Sequence, residues 1–235
     1  MTAPASARSH RHADDLVRTL RGIFGNRLRS VVAYNVDRSE ALSSLVLVTS
    51  LTLADLEACA ARSHGWQRDH IATPLVLPDD EFRRSLDAFP LEYIEIARAH
   101  ELLFGANPFD EVPIDRFDAR RASETRIKSH LVHLREAFIE AGGIPRAIAD
   151  LVTASAPAFG ALLRNVARLN GSTATDRAAA TRDGARTAGL SDSIVRDILA
   201  LEQPSALKTT DAARLFPAYL AAVEQLAGYV DQWNV

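Results

Sequence analysis

The sequence predicts an α+β protein: a small mixed β-sheet with flanking helices, followed by an all-helical C-terminal bundle. Apolar runs of β type are confined to the first half, and from Asp115 onward only helical periodicity occurs. The composition, 47% hydrophobic and 24% charged in 235 residues, is that of an ordinary globular chain with length for one large domain or two small ones. The change of character places a flexible start over 1–12, a first domain over 13–112 and a helical domain over 113–235.

The elements follow in order. Leu16, Val17, Leu20, Ile23 and Phe24 repeat at helical spacing, so a helix is expected over Ala13–Phe24, ended by Gly25 and Asn26. Leu28–Tyr34, centred on Val31 and Val32, reads as a strand, and the apolar run Leu45–Thr49 as a buried one. Thr52 is the expected N-cap of the helix LADLEACAARSH, with Leu53, Leu56 and Ala60 as its apolar stripe. A third strand is expected at Thr73–Leu77, and a short helix capped by Asp79 runs to Leu86. Leu91–Ile96 alternates apolar and charged residues as a strand does, and ARAHELLFG then reads as a helix stopping at Gly105. Helices are expected over 116–141, 146–169, 175–188, 191–202 and 210–232, with a kink or split at Pro157 and Pro217.

Charge narrows the function. Basic and acidic side chains number 27 and 30, a net charge of −3, which gives no bulk positive field to hold nucleic acid or an anionic membrane. Cys59 is the single cysteine, so no intrachain disulfide forms, and mid-helix between two alanines it reads as a small core residue. The first dozen residues carry no apolar signal region and no stretch approaches the roughly 20 apolar residues of a membrane span. A cytoplasmic protein without a membrane partner is the expectation.

The blocks PLVLPDDEF, FPLEYIEIARAHELLFGANPF and RRASETRIKSHLVHLRE, within Pro74–Glu136, resemble those of a bacterial group of minimal nucleotidyltransferases in the DNA polymerase β-like superfamily. The resemblance implies a nucleotidyltransferase-like first domain. Active members carry a Gly-Ser turn after the first strand, an Asp-x-Asp pair on the second and a third acid on a later strand. Carboxylates at i and i+2 of a strand share a face, and three of them hold the two Mg²⁺ ions that align the phosphates. Here Asn35 and Val36 follow Tyr34, and Ser43 or Ser44, followed by Leu45 or Val46, stands where the Asp-x-Asp falls in either register. Glu92 alone stands in the place of the third acid.

The resemblance therefore implies a pseudo-nucleotidyltransferase whose cleft takes a small molecule or nucleotide and needs no metal or other cofactor. Asn35, Asp37, Ser43 and Ser44 are its candidate ligand-binding residues, and Glu92 with His100 is the candidate acid/base pair. Two other readings stand beside it. One is an active Mg²⁺-dependent enzyme acting on a small hydroxylated acceptor, with Asp37, Glu40 and Glu92 as ligands. The other is a non-catalytic interaction protein whose helical half forms a homodimer.

Each candidate also has a plainer reading. Glu92 suits an ion pair with Arg98 or Arg120, and His100 a helix histidine bonded to backbone. His64 and His70 flank Gly65-Trp66 with nothing to fix their geometry. Arg126 and His133 match the Arg-to-His spacing of HEPN ribonucleases, and equally an ion-paired helix face that includes Glu124 and Lys128. Ser39 and Ser155 lack a nucleophile-elbow motif, and the aromatic positions Phe159, Phe216, Tyr219, Tyr229 and Trp233 fall at core-like helical spacings.

Overall fold

The computed structural model describes residues 5–34, 41–110, 114–202 and 209–233. They fold as two compact units, Met1–Asp115 and Arg116–Val235.

In the first unit α1 (Ala5–Phe24) begins two turns before the Ala13 start read from the sequence, because residues 5–12 add no apolar stripe to signal it. Leu16 and Leu20 are fully buried and Phe24 nearly so. A 3-10 turn, Gly25–Arg27, leads into β1 (Leu28–Tyr34). The remaining elements are β2 (Ser43–Val48), α2 (Leu53–Ala60), α3 (Ser63–Arg68), β3 (Leu75–Pro78), α4 (Asp79–Arg84), α5 (Pro90–Arg98) and β4 (His100–Gly105). The sheet order is β3-β2-β1-β4, with β1 antiparallel to both neighbours and β2 parallel to β3, so the sheet is mixed.

Alternation along β2 feeds two cores. Val46 and Val48 pack with Leu16, Leu20 and Phe24 of α1, whereas Leu45 and Leu47 pack with Phe82, Tyr93 and Ile96 of α4 and α5. All four β2 side chains are 1% exposed or less, so neither sheet face is open at this strand.

Three expectations are corrected here. The segment LEYIEI is the helix α5, not a strand, and HELLFG is the strand β4, not a helix. Pro90 at the first helical position and Glu92 in the first turn both favour helix initiation, which outweighs six residues of alternation. β4 gains what local propensity lacks by pairing along β1. It ends at Gly105, whose φ of 78° lies in the left-handed region, and a Cβ there would sit 1.9 Å from the Arg29 carbonyl oxygen. The second correction concerns α2, whose expected stripe is not buried: Leu53 is 71% and Leu56 46% exposed, while Asp55 is buried. Thr52 does cap it, in a reciprocal capping box with Asp55. Third, Asp79 does not cap α4; Pro78 holds that position and Asp79 opens the first turn.

The second unit contains α6 (Arg116–Glu140), α7 (Pro145–Leu169), α8 (Arg177–Thr187), α9 (Asp192–Leu201) and α10 (Thr209–Asp231). Pro157 and Pro217 lie inside α7 and α10, and neither splits its helix. By length and composition α7 could cross a membrane, but α6, α8, α9 and α10 pack around it and Val152, Ala156, Phe159, Leu163 and Val166 are fully buried among them. Small residues let α8 approach α7: Ala180, Thr181, Gly184 and Ala185 form its buried side. Arginines at the start of α6 close the carboxyl ends of its neighbours. Arg116 donates to the Leu169 carbonyl at 2.6 Å, and Arg120 to the Val230 and Trp233 carbonyls at 3.3 and 3.2 Å.

Candidate functional site

Two of the candidate residues, Ser43 and His100, meet at one end of the sheet. Tyr34, the last residue of β1, lies directly opposite Ser43 on β2 and His100 on β4. Residues paired across strands point to the same face, so Ser43, Tyr34 and His100 form one row across three strands. That row lies on the face covered by α4 and α5, because Tyr34 packs against the cluster of Leu45, Phe82 and Tyr93. All three are half-buried. Asn35 and Asp37, with Glu40, continue the chain from Tyr34 and lie outside the described residues.

Ser44 is separated from this group. It pairs with Ala33, faces the α1 side with Val46, and is 1% exposed with a hydroxyl that has no hydrogen-bond partner among the described residues. Glu92 is half-buried in the first turn of α5 rather than on a strand, whereas His100 sits beyond the far end of that helix. The two were read from sequence as a pair; the chain places them at opposite ends of α5.

His100 is held on both sides of its ring. Nδ1 lies 3.2 and 2.9 Å from the Ile96 and Ala97 carbonyl oxygens at the end of α5, and Nε2 lies 3.0 Å from Asn107 Oδ1. The amide orientation of Asn107 is set by its other bonds, since Oδ1 accepts from the Phe109 N–H at 3.2 Å and Nδ2 donates to Asp110 at 2.7 Å. The His100 ring also meets Phe109 at 5.2 Å, and Phe82 meets Phe109 and Tyr93 edge-on at 5.7 and 5.0 Å. An aromatic floor thus supports the row from below. Burial pushes the Tyr34 phenol above its ordinary value, as it does Tyr93, whose hydroxyl shares a 2.8 Å hydrogen bond with Ser85. Around neutral pH Tyr34 and Ser43 offer neutral hydroxyls for hydrogen bonding.

Tyr34 and Asn107 were not singled out from the sequence. Tyr34 had a signal in its place as the last residue of a strand before a polar turn; Asn107 had only the Asn-Pro pair that marks a loop. His64 and His70 lie on and just after α3, His70 with a φ of 55°. His133 is exposed and paired with Glu136 at 3.1 Å, and Arg126 is exposed on the same helix. Among the described residues no group of three or more His, Cys, Asp or Glu side chains is gathered to hold a metal ion.

No known protein family and no curated protein matches the sequence. The structure does find a likeness. It resembles the spectinomycin adenyltransferase AAD(9) from Enterococcus faecialis, solved with ATP and spectinomycin, at a TM-score of 0.57 and 10% identity. The match covers 95% of this chain and 99% of that one. The fold is nucleotidyltransferase-like, with a mixed four-stranded sheet and flanking helices in front of a helical region.

Proposed function

We propose that this chain is a pseudo-nucleotidyltransferase that has lost two-metal nucleotidyl transfer and uses the end of its sheet to bind a small molecule or nucleotide. The observation that carries the reading is the burial of β2. Whichever register the family's Asp-x-Asp takes, its second position is Leu45 or Val46, and both are fully buried, one in each core. A carboxylate at either place would lie in hydrocarbon, where no metal ion could repay its desolvation. The described residues therefore do not fit a pair of Mg²⁺ ions, which need several carboxylate oxygens at octahedral distances. What remains at the sheet end is the row Ser43, Tyr34 and His100, with Asn35 and Asp37 following Tyr34 in sequence.

That the neighbour of the same fold holds ATP and spectinomycin makes nucleoside triphosphates and hydroxylated ring compounds the first ligands to try. Thermal unfolding against such a panel, with and without Mg²⁺, tests the reading. A ligand at 100 times its dissociation constant stabilises by about 2.7 kcal/mol. The expected result is stabilisation that does not depend on Mg²⁺, reduced in Tyr34→Phe and Ser43→Ala, with no pyrophosphate released. Mg²⁺-dependent stabilisation accompanied by pyrophosphate release would establish a working transferase instead.

A further inference from the structure

The helical unit holds a polar cluster, with Tyr219 buried and His130 and Ser155 half-buried, that no part of the sheet-end reading uses. His130 on α6, Ser155 on α7 and Tyr219 on α10 meet where the three helices pack. Ser155 Oγ lies 2.7 Å from Tyr219 Oη and 3.3 Å from His130 Nε2, and Tyr219 Oη lies 3.4 Å from the same nitrogen. The His130 ring stacks on Phe159 at 6.0 Å, and both Phe159 and Tyr219 are fully buried.

The hydrogen count of this set depends on the imidazole. With Nε2 unprotonated, the two hydroxyl protons suffice: one hydroxyl donates to the other, which donates to Nε2. With Nε2 protonated, three protons converge on two oxygens. The imidazolium then donates to one hydroxyl, and one hydroxyl proton is left without an acceptor within the cluster.

Among the described residues no carboxylate contributes to the shift at His130. From α7 the facing side chains are Ser155 and Phe159, and from α10 Tyr219, whose phenol burial pushes upward so that it stays neutral. On α6 itself Arg126 and His133 stand one turn to either side, both exposed, and His133 is engaged with Glu136. Burial is the cause that lowers the pKa of His130 below its ordinary value. A depressed histidine pKa means that the unfolded chain binds the proton first, so the stability present above about pH 6.5 is lost as the pH falls.

We propose that His130, Ser155 and Tyr219 form an acid-sensitive latch, which holds α6 against α7 and α10 while the imidazole is neutral and releases it once the ring is protonated. The latch is independent of the ligand proposed for the sheet end. Urea unfolding of the full chain, followed by helical circular dichroism from pH 8 to pH 5, compares wild type with His130→Gln; the other histidines are common to both and cancel. The wild-type folding constant should fall relative to the variant by up to tenfold per pH unit below about pH 6.5. Parallel profiles would overturn the proposal. Should His130→Gln fail to fold, the His130 imidazole resonances of the wild type decide: titration below the free-histidine value supports the latch, and titration at or above it removes the latch.

Discussion

Arg27 and Asp55 meet in a two-pronged ion pair, Nη1 to Oδ2 at 2.7 Å and Nη2 to Oδ1 at 2.6 Å, across 28 residues of chain. The pair ties the 3-10 turn before β1 to the first turn of α2, and the same carboxylate accepts the Thr52 N–H at 2.9 Å and its hydroxyl at 2.8 Å. Hydrogen bonds from Arg27 first, and from Thr52 next, hold the Asp55 carboxyl well below the usual carboxylate range.

Asp55→Asn should therefore lower the urea midpoint of the first unit at neutral pH. A depressed carboxylate pKa contributes stability that is complete above the unfolded value of about 3.9 and lost as the pH falls below it. The gap between wild type and Asp55→Asn should narrow accordingly in acid. A gap of the same size at neutral and at strongly acidic pH would show that the carboxylate charge contributes nothing.

On the reading proposed above, introducing acids at the family's positions should not create transferase chemistry. Ser43→Asp with Leu45→Asp, or Ser44→Asp with Val46→Asp, places a carboxylate in a filled core. Loss of the aliphatic side chain alone costs about 2–5 kcal/mol, and the buried charge adds to it. Loss of the cooperative thermal transition is the expected outcome for both double variants. A folded variant that releases pyrophosphate with Mg²⁺ would refute the reading of β2.

Two glycines of the helical unit differ in what a Cβ would meet. A Cβ on Gly184 would meet the Leu163 carbonyl oxygen at 1.9 Å, whereas one on Gly160 would meet Glu202 Oε1 at 1.7 Å. Backbone cannot step aside and a side-chain end can, although Glu202 is committed to Arg164 at 2.8 Å. Gly184→Ala should cost about 1–3 kcal/mol or more of stability and exceed Gly160→Ala, despite the roughly 1 kcal/mol that alanine gains in a helix. Chemical denaturation of the two variants side by side checks the order.

Arg120→Met should loosen the last turn of α10. The guanidinium reaches the Val230 and Trp233 carbonyls, and Lys128 pairs with Asp231 at 2.6 Å beside it. A charged donor on terminal carbonyls is worth about 1 kcal/mol. Amide exchange confined to the end of α10 should quicken severalfold, and unchanged exchange there would count against the cap.

The helices of the second unit were legible because each carries its own evidence: Val152, Phe159, Leu163 and Val166 lie on one side of α7, and glycines punctuate the turns. β1 and β2 were legible as β-branched apolar runs. The exchange between α5 and β4 was not, because helix and strand there are decided by Pro90 at one end and by pairing with β1 at the other, and the second lies about 70 residues away in sequence. The exposure of Leu53 and Leu56 has a similar origin, since α2 is anchored by Asp55 on Arg27 rather than by its leucines. At the sheet end the sequence picked out Ser43 and His100 but not Tyr34 between them, because only strand register makes the three neighbours.

The seat of Gly105 bears on how kin of this chain can be found. At 10% identity to a protein of the same fold, residue matching carries almost no signal. A position where the Arg29 carbonyl leaves no room for a side chain and φ is 78° behaves differently. Any descendant that keeps β4 zipped to β1 in this register must keep glycine there or rebuild the strand end. Glycine at position 105 is thus an expected anchor for aligning relatives whose remaining residues have drifted.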